Sequence, residues 1–417
     1  MNILVDMKAV SFILKVALVK TNNMESIIKS LLDSDLYKFS MQNAVLKLFP
    51  EAQVRYSFIL RSKVDFPDNF AKLLRNEITR MSVLKLTPEE KKFFSEKCKY
   101  IDPSYFDFLS GYQYDPSEVG VIQNTGELQI NIEGYWFKVI LWEVPLLALI
   151  SELYFKMMGY SSDLKSVEQR HENNQKKAAL FNYGNIKLAD FGTRRRYSFD
   201  IQKEMVEDLS SRMTKGLFVG TSNVYLAFLN NLTPIGTEAH EWFMFHGAKY
   251  GFQMANELGL KHWADVYNGS LGTALCDTYT TDAFLKAFNM KYAKLYDGVR
   301  QDSGDPIEFA EKMIAHYTKL GIDPLSKTIV FSDSLNPAKA RYINTWCNGK
   351  IKCSFGIGTN LSNDVGVTPL NMVIKMTAAK PKEDDQWIPT IKLSDDQGKH
   401  TGDPKMIEVC KYLLNIK

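Results

Sequence analysis

Cysteine is scarce and unpatterned in this chain. The five, at positions 98, 276, 347, 353 and 410, form no CxxC pair and no zinc-type spacing, and an odd number does not build a disulfide framework. Reduced thiols in a cytoplasmic protein follow as the expectation. Net charge is nearly absent as well: 51 Lys and Arg against 48 Asp and Glu leave +3, so there is no broad polycation and nucleic acid is excluded as the principal ligand. Long apolar runs are also missing. The stretch Ala9 to Val19 is interrupted by Lys15 and is shorter than the roughly 20 residues that span a bilayer, which predicts no membrane partner. Lys20-Thr21-Asn22-Asn23 offers no small-residue cleavage site, so residues 1–23 read as an extension, with Met24 as a plausible natural start. No internal repeat or low-complexity tract appears.

Several catalytic signatures fail in the same way. Gly356-Ile357-Gly358-Thr359 begins like a dinucleotide fingerprint, but Leu361 stands where the third glycine belongs. His240-Glu241 begins like HExxH, yet the next histidine is His246, on another helical face at about 100° per residue. Walker A is absent, and so is an apolar strand ending in paired acids. The backbone amides around Gly356 and Gly358 remain able to cradle a phosphate.

What is present, at 417 residues with 45% hydrophobic and 24% charged composition, is a soluble globular protein of roughly two domains. Its most telling stretch runs from Tyr296 to Pro306 (YDGVRQDSGDP), where an apolar run ends in one arginine and two carboxylates before a helix begins. The layout recurs at Asp190 to Arg196 (DFGTRRR), Val219 to Asn223 (VGTSN) and Phe355 to Asn360 (FGIGTN). Four strand ends carrying Gly, Thr, Arg and Asp predict one polyanion-binding site, with Thr221 and Ser222 among its residues.

Between about 185 and 360 short apolar runs alternate with amphipathic segments. Strands are predicted over Lys187 to Phe191, Leu217 to Gly220, Gly272 to Cys276, Ala293 to Tyr296, Thr328 to Phe331 and Ile351 to Phe355. Helices are predicted over Phe199 to Met213, Thr281 to Phe288, Pro306 to Leu320 and Pro337 to Trp346, the last two opening with Pro inside a polar cap. Repeated strand and helix units of this length imply parallel strands, and polar residues at several strand ends favour an irregular barrel. Gln53 to Leu60, Leu128 to Ile132, Asn371 to Thr377 and Thr390 to Leu393 read as strands of an alternating kind, with a helix over Asp68 to Ser82 and a turn at Asp395 to Gly398. The fold class is therefore α/β: a barrel domain over 141–365 and a second, mixed domain built from 24–140 and 366–417.

Several candidate site residues have a plainer alternative. His240 follows Gly236-Thr237-Glu238-Ala239 at a helix start, which suits either a structural histidine or a catalytic one. Asp305 precedes Pro306 and reads equally as a helix cap. Arg300 and Asp302, alternate residues at a strand end, face one side and set a cation beside an anion, an arrangement suited to magnesium or hydroxyls at one end of a substrate and a carboxylate or phosphate at the other. The run Arg194-Arg195-Arg196 is either solvated or, for its first member, delivered by the preceding strand.

Taken together these segments, with Ile28 to Phe39 (IKSLLDSDLYKF), resemble the nicotinate phosphoribosyltransferases over nearly all of residues 24–417. The resemblance implies an irregular barrel plus an N-terminal domain, a homodimer with shared sites, and transfer of phosphoribosyl from 5-phosphoribosyl 1-diphosphate to nicotinate in NAD salvage. It further implies that Tyr37 stacks on the pyridine from a neighbouring subunit, and that Arg300 lies near the carboxylate and pentose. Arg194 then faces the pyridine and diphosphate, while Gly356, Gly358 and Thr359 hold the 5-phosphate. His240 matches the histidine phosphorylated by ATP; ATP and Mg2+ are the implied cofactors, with Asp302 the metal ligand, and Glu238 is given no role. Such chemistry needs no general base, because the pyridine nitrogen attacks with its own lone pair; the demand is for charge and fixed geometry at the departing diphosphate. Nicotinamide transfer is the alternative in the same fold. A barrel lyase or isomerase would need a Schiff-base lysine or paired acids at strand ends, and no lysine is so placed.

Overall fold

The computed structural model describes residues 26–160 and 164–416, so the expectations for residues 1–23 and Met24 lie outside the described residues. Among the described residues, eleven strands form two sheets. Five of them, β1 (Gln53–Leu60), β2 (Val119–Asn124), β3 (Glu127–Tyr135), β10 (Met372–Lys380) and β11 (Ile388–Pro389), make an antiparallel sheet in the order β11-β10-β1-β3-β2. Chain segments more than 200 residues apart thus share one sheet, with Gln53 opposite Lys380 and Leu60 opposite Met372. The β2–β3 hairpin turns at Thr125-Gly126, both at positive φ, where Gly126 supplies the conformation other residues resist.

The other six, β4 (Leu188–Asp190), β5 (Phe218–Thr221), β6 (Thr273–Leu275), β7 (Gly298–Gln301), β8 (Thr328–Phe331) and β9 (Lys352–Ile357), pair in parallel in the order β5-β4-β9-β8-β7-β6. Read as a circle, this is simple chain order from β4 to β9 with one opening, between β5 and β6. The segment 233–238 spans that opening: Ile235 N donates to Thr221 O on one side, and Leu275 N donates to the Glu238 carboxylate on the other. The result is an irregular barrel whose gap is closed by a loop rather than by a strand.

Helices cover the parallel strands and bury their apolar faces. In Pro306–Lys319, Asp305 Oδ1 accepts from the Ile307 and Glu308 amides, Pro306 opens the first turn, and Phe309, Ala310, Met313 and Tyr317 are buried at helical spacing. Asp305 is thus a helix cap. Pro337–Cys347 is started in the same way by Asn336.

Two strand expectations fail for identifiable reasons. Residues 293–296 end a helix, Met290–Leu295, capped by the Asn289 side chain at the Lys291 amide, and β7 begins two residues later at Gly298. A Cβ at Gly298 would stand 1.8 Å from the Thr328 carbonyl oxygen, so the strand starts where a glycine admits the neighbouring backbone. Thr390 to Leu393 is not a strand: β11 ends at Pro389, and Lys392 makes an isolated bridge with Thr401.

Candidate active site

The carboxyl ends of the parallel strands deliver the polar residues. After β7, Arg300 Nη2 donates to Asp302 Oδ1 at 3.0 Å, and its Nε donates to Ser332 Oγ, from the end of β8, at 2.9 Å. Ser332 in turn donates to Asp302. Burial alone would push the Asp302 carboxyl up, but Arg300, with help from His240 and Lys392, holds it well below the usual range. It is therefore an anion at neutral pH.

His240 opens the helix His240–Tyr250 and is buried. Its Nε2 lies 3.0 Å from Asp302 Oδ2 and 2.8 Å from the Lys392 ammonium, while Nδ1 lies 3.0 Å from Thr278 Oγ1. Burial, then the Lys392 charge, depress its pKa to about 4, so the ring is neutral at pH 7. Asp277, next to Thr278 after β6, completes the surround: its Oδ2 accepts from Ser303, and its buried Oδ1 has no hydrogen-bond partner and lies 3.8 Å from His240 Nε2. Donor atoms of His240, Asp277 and Asp302 lie within 4.8 Å of one another.

Three cavities meet here. The first, of about 250 Å³, lies between the barrel mouth and the antiparallel sheet. Barrel residues Arg194, Arg195, Arg300 and Asp302 line it together with Gly356, Gly358 and Thr359, and the sheet side and the segment beyond add Arg61, Lys375, Lys392 and Lys399. Seven basic side chains face two carboxylates, Asp302 and Asp333. The crowding is visible in their acidities: burial and neighbouring positive charge lower Lys375 to about 7 and Arg195 to about 10. Such a cluster is completed by a bound polyanion.

The second cavity, of about 340 Å³, is more apolar, with Tyr37, Tyr100, Phe191, Ile235 and Val330 in its wall beside Arg194, Arg300 and Ser222. It shares Phe191, Arg194 and Arg300 with the first. Gly356 makes this possible, because a Cβ there would stand 2.3 Å from the Phe191 ring. A third pocket, of about 60 Å³, joins Tyr37 and Arg194 to His240.

The sequence candidates thus fall into two groups. His240, Arg300, Asp302, Arg194, Tyr37, Ser222, Gly356, Gly358 and Thr359 line one or more of these connected spaces. Thr221 does not: its buried hydroxyl donates to Asp190, which supports the turn after β4. Tyr37 lines this cavity in its own chain. Its neighbour Ser222 donates to Asp35 at 2.7 Å, and Glu143 lies 3.7 Å from Arg194, fixing both sides of the cavity wall. Within the arginine run, Arg196 is structural, buried in a bidentate pair with Asp33 at 2.6 and 2.9 Å.

Sequence reasoning missed Asp277, Thr278, Lys375 and Lys392. The first two follow a predicted strand and were open to the same strand-end argument that found Arg300. Lys375 is carried by β10 of the other sheet and Lys392 by the segment after β11, and no local signal marks them.

Comparison with known proteins gives one answer. The nicotinate phosphoribosyltransferase (NAPRTase) family matches over residues 186–416, and the N-terminal domain of that family over 32–151. Among relatives, nicotinate phosphoribosyltransferase of Chromohalobacter salexigens is 52% identical over 387 residues, 93% of this chain and 98% of its own. The one from Methanosarcina mazei is 41% identical over 410 residues, 94% of this chain and 99% of its own. The crystal structure of nicotinate phosphoribosyltransferase from Porphyromonas gingivalis superimposes with a TM-score of 0.90 at 45% identity, covering 94% of this chain and all of that one. The enzyme from Vibrio cholerae gives 0.85 at 32% identity, covering 94% of each chain.

Proposed function

We propose, from the premise that this chain belongs to the nicotinate phosphoribosyltransferase family, that it transfers phosphoribosyl from 5-phosphoribosyl 1-diphosphate to nicotinate within the two joined cavities, releasing diphosphate. The observation that carries the reading is the sharing of Phe191, Arg194 and Arg300 between a cationic chamber and an aromatic one. The diphosphate and 5-phosphate suit the first chamber, and a planar ring bearing a carboxylate suits the second. The ring nitrogen then meets the anomeric carbon at their junction.

The residues act by position and charge. Tyr37 and Phe191 bound the ring, Arg300 and Arg194 offer cations to its carboxylate, and Ser222 stands in the same wall. Gly356, Gly358 and Thr359 suit the 5-phosphate. As the bond to diphosphate breaks, negative charge builds on the leaving oxygens, and the fixed cations of the first chamber stabilise it without rearranging. A magnesium ion fits the donor set: Asp302 and Asp277 would hold it, the latter through the orphaned Oδ1. When bound it supplies further positive charge to the diphosphate.

His240 is read as a phosphoryl carrier that couples ATP hydrolysis to transfer. It is neutral, its Nδ1 is held by Thr278, and the attack on the ribose leaves it no proton to move. Tyr37 in the cavity of its own chain supports a site complete within one chain, so association into a homodimer would not be needed to assemble it. No helix among the described residues is long and apolar enough to cross a membrane, and all five cysteines are free, which supports a cytoplasmic place in NAD salvage.

The test is diphosphate release with nicotinate and with nicotinamide as alternative acceptors. The reading expects a strong preference for nicotinate. Equal use of both, or preference for the amide, removes the role given to Arg300 and Arg194.

A further inference from the structure

One nitrogen near the cavity is claimed twice. His240 Nε2 has a donor, the Lys392 ammonium, at 2.8 Å and an acceptor, the Asp302 carboxylate, at 3.0 Å. A neutral imidazole nitrogen carries either a proton or a lone pair. With a proton, Nε2 donates to Asp302 and points N–H at N–H toward Lys392; with a lone pair, it accepts from Lys392 and faces the carboxylate. Thr278 is indifferent, since its hydroxyl either donates to Nδ1 or accepts from it. The choice between tautomers therefore falls to Lys392 and Asp302 at hydrogen-bond distance, with Asp277 Oδ1 further off at 3.8 Å.

Lys392 is held firmly for that purpose. It is 5% exposed, and its ammonium lies 3.8 Å from Asp277. Its backbone exchanges two hydrogen bonds with Thr401, and the next residue, Leu393, donates to the carbonyl of Thr278. Two residues further on, the Asp395 amide donates to Ser303 Oγ, and its carboxylate accepts from Thr281. The strap bearing Lys392 is thus stitched to the loop bearing Asp277 and Thr278, and both face the same imidazole.

We propose that Lys392 is the positioning residue for phosphoryl transfer to His240: it selects the tautomer in which Nε2 carries the lone pair, and it then serves as counter-charge to the phosphoryl oxygens. This rests on reading His240 as the phosphoryl carrier. In the forward step the Nε2 lone pair forms a bond to the γ-phosphorus of ATP while the bond from that phosphorus to the β,γ-bridging oxygen breaks. The electron pair of the broken bond leaves with ADP. The ring keeps its Nδ1 proton, directed at Thr278 Oγ1, and the ammonium passes from Nε2 to a phosphoryl oxygen. On discharge a water oxygen bonds to phosphorus, the N–P electron pair returns to Nε2, both water protons leave with the released dihydrogen phosphate, and the ammonium resumes its contact there. A lysine that merely balanced the charge of Asp277 and Asp302 would affect stability and leave phosphorylation untouched.

Quenched-flow labelling with γ-labelled ATP separates these roles, using wild type, Lys392→Gln, Lys392→Arg and His240→Asn chains matched for folded content by melting curve. The rate of formation of acid-labile, base-stable phosphoenzyme is expected to fall about 10- to 100-fold in Lys392→Gln, the loss of one charge-assisted contact. Its equilibrium level at a fixed ATP to ADP ratio is expected to fall as well. Lys392→Arg, which keeps the charge, recovers most of both. Where the Gln chain does not fold, Lys392→Met keeps the aliphatic stem in its buried place and gives the same comparison. Wild-type rate and extent in folded Lys392→Gln, with no labelling of His240→Asn, overturns the role of Lys392 alone. Equal labelling of His240→Asn overturns the phosphohistidine reading beneath it.

Discussion

Replacing Arg300 with alanine tests the junction of the two chambers. The guanidinium lines all three connected spaces, with its side chain 17% exposed, and holds Ser332 at 2.9 Å and Asp302 at 3.0 Å. Its loss leaves Asp302 with the Ser332 hydroxyl, His240 and the nearby Lys392 charge, so the fold loses roughly 1 to 2 kcal/mol, the scale of one replaced charged hydrogen bond. Nicotinate loses its charge-assisted contact outright. At about 1.5 to 3 kcal/mol, that lowers kcat/KM for nicotinate by roughly 10- to 150-fold. Arg300→Lys falls between, because a single ammonium does not reproduce the planar fork that serves Ser332 and Asp302 together. Steady-state diphosphate release at saturating 5-phosphoribosyl 1-diphosphate, with nicotinate and nicotinamide in parallel, gives the answer. Preference for the acid over the amide should collapse in Arg300→Ala. A well-folded Arg300→Ala with kcat/KM for nicotinate within about twofold of wild type would remove Arg300 from the ring pocket, since a lost charged contact is worth at least tenfold.

Other perturbations have equally definite outcomes. Because Tyr37 lines the cavity of its own chain, mixing Tyr37→Ala and His240→Ala chains should give no activity beyond the sum of the two, and recovery after proven subunit exchange would show that the ring wall is supplied between chains. Arg196→Ala strands the buried Asp33 carboxylate and should destabilise the protein by about 3 to 5 kcal/mol in urea unfolding, where a loss under about 1 kcal/mol would contradict a buried pair. Burial raises the Glu238 carboxyl to about 8, so its protonated form is favoured in the folded state: that stability is fully present below the unfolded pKa near 4.5 and is lost as pH rises toward 8. Glu238→Gln should accordingly gain roughly 3 kcal/mol over wild type between pH 5 and pH 7.5, and parallel stability curves for the two chains would count against a protonated Glu238.

Much of this architecture was legible because its signals are local. Asp305 with Pro306, and Asn336 with Pro337, start helices whose bounds fall within one residue of those read from the chain, and β1 has the bounds its alternating residues gave. Arg300 and Asp302 were found because a strand end projects alternate residues to one side. Lys375 and Lys392 were not: the pairing of β10 with β1 across more than 300 residues sets Lys375 over the barrel mouth, the bond from Leu393 to Thr278 across more than 100 sets Lys392 there, and no window of sequence contains either contact. Thr221 misled for the opposite reason. It sits at a strand end like its neighbour Ser222, but the buried Asp190 carboxylate takes its hydroxyl inward. Tyr296 misled because the run before it ends a capped helix, with Tyr292 and Ala293 buried and Leu295 exposed.

The central claim is that His240 couples ATP to base transfer within this site. Counting ADP and diphosphate formed together, from nicotinate, 5-phosphoribosyl 1-diphosphate and ATP, tests it most directly in wild type and His240→Asn chains. Wild type should release ADP with each turnover and slow down when ATP is withheld, whereas His240→Asn should form no ADP and retain a slow transfer that ATP does not change. ATP-stimulated transfer with ADP release in His240→Asn would contradict the account.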